Sequence, residues 1–177
     1  KYMFPKAHAA AYVMSAIRLA WFKIYKPLEF YAAYFSVAPG GFDATVVPKG
    51  RAYMNKVMQE ISAKGKDATA REDETVAALQ LANEAMARGI RFLPVNIEKS
   101  EAFAFIPENG GIRMPFSSLA GVGEIAAKNI VEVRNSSEIS SRAQLRAKAG
   151  LSKTVMDILS QNGVLDGISE TNQITFF

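Results

Sequence analysis

Two glycines separated by one valine, Gly121 and Gly123, sit between apolar residues and constrain this chain more than any other feature. Residues 116–134 read as a short helix, a Gly-Val-Gly bend and a second helix. Glycine accepts positive φ and lacks Cβ, so a tight bend between helices, closely approached by other backbone, calls for it. The amides that open the second helix then point outward with the positive end of the helix dipole behind them, which suits a phosphate group. Ala126 and Ala127 permit close helix approach, and Ile130 adds an apolar rung. An ordinary helical corner with glycine in its turn is the plain alternative.

A second unit of the same kind follows. Residues 142–148 and 153–161 read as helices joined by a turn at 149–152, with Ser152 as a cap and Gly163 as a terminator. It has one hairpin glycine, Gly150, and reads as a degenerate copy of the first. The pair is similar to tandem helix-hairpin-helix motifs, which hold nucleic-acid backbone without reading bases. On that reading the contacts to duplex DNA come from Gly121, Val122, Gly123 and Lys128 in the first copy, and from Lys148, Gly150, Ser152 and Lys153 in the second. Solvated surface lysine is the plain reading of the three cations. Charge is unevenly spread. Residues 111–153 hold seven Lys/Arg against three acids and residues 1–36 hold five against one, whereas 37–110 hold nine against ten. The hairpin region is therefore locally basic, as phosphate binding requires.

The remainder predicts a mainly α chain with a small antiparallel β element. Helices are expected over about 6–26, 28–37, 52–63 and 70–88, set off by Pro27, Pro48, Gly65 and Gly89. Short strands are expected at 92–97, 102–106 and 112–114, the last two joined through Asn109-Gly110, a hairpin turn pair. The apolar stretch 7–25 is interrupted by Arg18 and closed by Lys23 and Lys26, so it reads as a helix buried in a larger protein and not as a membrane span. No cysteine means no disulfide framework, and a single histidine, His8, excludes a histidine metal cluster. The chain opens on Lys1 and not on an initiator methionine, so a fragment is expected.

Several segments carry a wider resemblance. They are the opening Tyr-Met-Phe-Pro-Lys-Ala-His-Ala-Ala-Ala-Tyr-Val, then Trp21-Phe-Lys, Pro27-Leu-Glu-Phe-Tyr-Ala-Ala-Tyr-Phe, Gly150-Leu-Ser-Lys-Thr, Gly163-Val-Leu-Asp-Gly and Thr171-Asn-Gln-Ile-Thr-Phe-Phe. Together they resemble bacterial replicative DNA polymerases of the C family, closest to the PolC-type alpha subunit of low-GC Gram-positive bacteria. The resemblance implies a C-terminal fragment of a cytoplasmic, replisomal nucleotidyltransferase. Residues 1–37 would end the fingers, 38–110 connect, 111–168 form the tandem duplex-binding domain, and 169–177 form a sliding-clamp-binding tail. Lys6, His8 and Tyr12 would then line the pocket for the incoming dNTP, although by pattern alone they read as a solvated lysine and packed rings. Gln173, Ile174, Phe176 and Phe177 would bind the clamp, with Phe176 standing where leucine is usual. The Mg2+ ions would be held by palm carboxylates outside this chain, leaving the fragment inert alone, with the rest of the polymerase as its partner. A DnaE-type alpha subunit, or a helix-hairpin-helix adaptor of a repair protein without polymerase chemistry, is the alternative.

Overall fold

The computed structural model describes residues 5–37 and 40–171. It is mostly helical, with seven α-helices and one small sheet among those residues. Pro5 caps α1 (Lys6–Tyr25) with φ −60°, and Pro27 opens α2 (Pro27–Val37), the two helices packing on each other. After a single 3₁₀ turn at Val47–Lys49, α3 (Arg51–Ser62) and α4 (Ala70–Ala87) lie side by side. The start of α4 is fixed by a capping box: the Thr69 hydroxyl accepts from the Glu72 amide, and the Glu72 carboxylate accepts from the Thr69 amide at 2.9 Å.

The three strands are β1 (Arg91–Leu93), β2 (Ile106–Glu108) and β3 (Gly111–Arg113), in the order β1-β3-β2. Asn109 and Gly110 both have positive φ, 45° and 75°, so the expected β2–β3 hairpin forms antiparallel. The sheet as a whole is mixed, however, because β1 pairs parallel to β3. The hairpin is announced by its turn residues; a strand arriving across a long irregular connection has no such local mark. Gly111 is required here, since a Cβ would lie 2.8 Å from the Arg91 carbonyl oxygen.

One hydrophobic cluster runs from Tyr31 to Leu165. Its aromatic part joins Phe35, Phe42, Phe92 and Phe105, with Phe42 and Phe105 4.8 Å apart between ring centroids. Its other end is aliphatic, from Leu119, Ile130, Leu145 and Leu159, and it seats the helices that follow: α5 (Glu124–Ser136), α6 (Arg142–Ala149) and α7 (Lys153–Gln161). The bends between these helices are thereby held against a packed interior instead of hanging from a loop.

Candidate nucleic-acid interface

The first bend differs in detail from a helix–turn–helix. What precedes it is only a 3₁₀ turn, Phe116–Ser118. The Ser118 carbonyl accepts from the Ala44 amide at 2.9 Å instead of propagating a helix, and Leu119 is already extended. The chain then turns back, with the Val122 amide donating to the Leu119 carbonyl at 3.0 Å. Gly121 has φ +92°, the conformation expected of a glycine bend. Its missing Cβ serves the protein itself, because a methyl there would fall 2.6 Å from Cδ1 of Ile158 on α7. Gly123 corrects the sequence expectation: its φ is −73°, within reach of any residue, and a Cβ would meet nothing within 4 Å. Gly123 is instead the bare N-cap of α5, offering no side-chain acceptor to the amides that open the helix. Gly121 and Gly123 are exposed, while the Val122 side chain is buried and anchors the bend, leaving only its backbone near the surface.

The second bend follows expectation. Gly150 is left-handed (φ 63°, ψ 37°) and caps α6, while the Ser152 hydroxyl accepts from the Val155 amide at 3.2 Å and caps α7. Asn129 on α5 donates its side-chain amide to the Ala149 carbonyl at 2.9 Å, so the two hairpins are tied directly to each other. Gly150 and Ser152 are exposed, as is the Gly121–Gly123 edge.

The seven cations of residues 111–153 separate into two sets. Arg113, only 8% exposed, donates to both Glu108 oxygens (2.8 and 3.0 Å) and to the Pro94 carbonyl. These bonds hold the Glu108 carboxyl down at about 2, below its ordinary 4.5, against the opposing cost of desolvation. Arg134 is tied to the Ser100 carbonyl and Glu101, and Arg142 to the Leu165 and Ile168 carbonyls and Glu170. These three arginines build the fold. Lys128, Arg146, Lys148 and Lys153 are exposed. Lys128 lies over the Phe103 ring at 5.4 Å, Lys148 donates to Ser137 Oγ at 3.0 Å, and the Lys153 ammonium has no partner among the described residues. Arg146, one turn before Gly150, was not singled out from sequence; its place in the last turn of α6 beside Lys148 was the available signal. One acid, Glu124, stands exposed at the first position of α5.

The opening helix is a separate feature. Lys6, His8 and Tyr12 are exposed on α1, and the structure brings two of them together: the His8 and Tyr12 rings meet edge to face at 4.6 Å. No residue of α1 is buried, and Tyr12, Ile17 and Ile24 are each more than 60% exposed. The helix is held at its far end by Lys23, which pairs with Glu84 at 2.8 Å and lies over the Phe30 and Tyr31 rings. Tyr31 is fully buried there. Burial, reinforced by the Glu84 carboxylate, pushes its hydroxyl up to about 12. Among the described residues no three His, Asp or Glu side chains lie together as a possible metal site. No described helix is long and apolar enough to cross a membrane. Gln173, Ile174, Phe176 and Phe177 lie outside the described residues.

The two linked bends, with α5 entered through a bare glycine, lie within residues 89–174, which match the family model described as helix-hairpin-helix motif. The wider resemblance holds as well. The whole chain is similar to DNA polymerase III PolC-type of Clostridium perfringens and of Halalkalibacterium halodurans, each 42% identical over 177 residues. It is 41% identical over the same length to the Bacillus subtilis protein of that description. In each case all of this chain is covered and 12% of the relative. The chain thus spans about an eighth of the length of these proteins.

Proposed function

We propose that this chain is the duplex-gripping part of a PolC-type replicative DNA polymerase. The observation that carries the proposal is the α5 entrance: an exposed, side-chain-free N-cap at the tip of a tandem hairpin, with Lys128, Lys148 and Lys153 exposed on the same paired unit. Opening amides of α5 would donate to one phosphate of the backbone, and those around Gly150 and Lys153 to another, without reading bases. Glu124 opposes this and has to turn aside as the phosphate arrives. Similarity to PolC-type polymerases over all 177 residues supports the replicative setting. Within the parent enzyme, chemistry at the primer terminus would rest on Mg2+ held elsewhere, this part supplying position.

Two finer roles belong to the same reading. Lys6, His8 and Tyr12 would face the triphosphate and sugar of the incoming dNTP from α1, whose exposed apolar surface the rest of the polymerase would cover. Gln173, Ile174, Phe176 and Phe177 would attach the enzyme to the sliding clamp in the bacterial cytoplasm. The test is binding of the chain to two unrelated duplexes over a range of salt. Equal affinity for both, falling steeply with salt, is expected. Strong preference for one sequence, or salt-independent binding, would refute the proposal.

A further inference from the structure

The Gly121-Val122-Gly123 bend is bordered by two clefts, and both are lined by a residue from a distant part of the chain. One, of about 180 Å³, is walled by Asp43, Arg71, Thr75, Ser117 and Gly121. The other, of about 680 Å³, is walled by Arg71, Phe103, Ser117, Gly123 and Glu124 among others. Arg71 is the second residue of α4, on a backbone fixed by the Thr69–Glu72 capping box. Its guanidinium makes no hydrogen bond or ion pair with any described residue. No ion pair links Arg71 to Asp43 or Glu124, the two acids that line the clefts. Glu72 is held by Lys64 and Thr69, Asp43 accepts from the Thr45 amide and hydroxyl at 2.7 Å, and Glu124 forms no ion pair. Arg113, Arg134 and Arg142, by contrast, are each tied by three or more bonds within the protein.

We infer that Arg71 is a further phosphate-binding residue of the duplex interface, reaching from α4 to the strand held at the Gly121–Gly123 bend. The inference rests on the duplex-binding reading above. A strand laid against the α5 entrance brings its phosphates over these clefts, which Arg71, the exposed Ser117 and the residues entering α5 line together. Five donors with no internal partner match phosphate oxygens in pairs, a geometry that an ammonium lacks. The middle of the chain, neutral in overall composition, thereby contributes one cation to the basic hairpin surface.

The experiment is salt-dependent binding of a short mixed-sequence duplex by the wild-type chain and by R71Q, R71K, K153Q and K56Q, each also melted thermally. Lys56 lies on α3 and pairs with Glu60, away from both clefts. Each phosphate contact contributes about 0.9 to the slope of log K against log salt. R71Q is expected to lose about that much slope and to bind several-fold more weakly, with unchanged melting; R71K should regain the slope and K56Q should match wild type. R71Q with wild-type slope, while K153Q loses slope, overturns the role of Arg71 and leaves duplex binding standing. Absence of duplex binding by the wild-type chain removes both readings at once.

Discussion

Replacing Gly121 by alanine separates the two glycines that sequence treats alike. At Gly121 the φ of +92° puts any other residue in a strained region, at a cost of about 1–3 kcal/mol. The added methyl also falls 2.6 Å from Ile158 Cδ1. That atom ends a partly exposed side chain and can move, so the steric share is the smaller one, and Ile158→Val removes it. At Gly123, with φ −73° and open space where a Cβ would go, alanine should leave stability within about 0.5 kcal/mol of wild type. Urea unfolding followed by far-ultraviolet circular dichroism measures all three. G121A is expected to shift the midpoint down without changing the slope, and G123A to leave it in place. In the G121A background, Ile158→Val should cost less than its usual about 0.5–1.5 kcal/mol. Equal stability of the two alanine variants, or strict additivity of G121A with Ile158→Val, would show that the bend is not seated on α7 as described.

Other consequences concern binding and pH. G123A places a methyl where a phosphate is proposed to sit, so its duplex affinity should fall several-fold despite normal stability; unchanged affinity counts against contact at that N-cap. Ser152→Ala removes the cap of α7 and should destabilise by about 1 kcal/mol in the same urea assay; no loss would mean the cap carries nothing. Glu108, held at about 2 in the folded chain, contributes stability that is fully present above about 4.5 and is lost as pH falls toward 2. Stability measured between pH 5 and 2.5 should therefore decline less steeply in E108Q than in wild type, and parallel declines would exclude this group. Alanine at Gln173, Phe176 and Phe177 together should abolish capture by the sliding clamp and spare duplex binding; retained capture refutes the tail assignment.

Much of the fold was legible because its marks are local. Pro27, Gly89, Gly150, Ser152 and the Asn109-Gly110 pair announce themselves by chemistry that acts within a few residues, and they stand where expected. The parallel β1–β3 pairing was not legible, since nothing near Phe92 specifies the strand it will meet. Nor was the single 3₁₀ turn before the first bend, which depends on an amide from Ala44. The site divides in the same way. Both bends could be read from glycine, but the division of the seven nearby cations into structural arginines and exposed Lys128, Arg146, Lys148 and Lys153 depends on partners far along the chain. Arg71 was invisible for that reason: it lies about fifty residues before the bend it borders.

A titration of the isotope-labelled chain with duplex DNA, followed amide by amide in solution, addresses the main-chain grip itself. The largest shifts should fall at Gly121, Gly123, Glu124 and Ile125 and again at Gly150 and Lys153, identically for unrelated duplex sequences. Shifts confined to α1 or α3, with both bends unmoved at saturation, would contradict it.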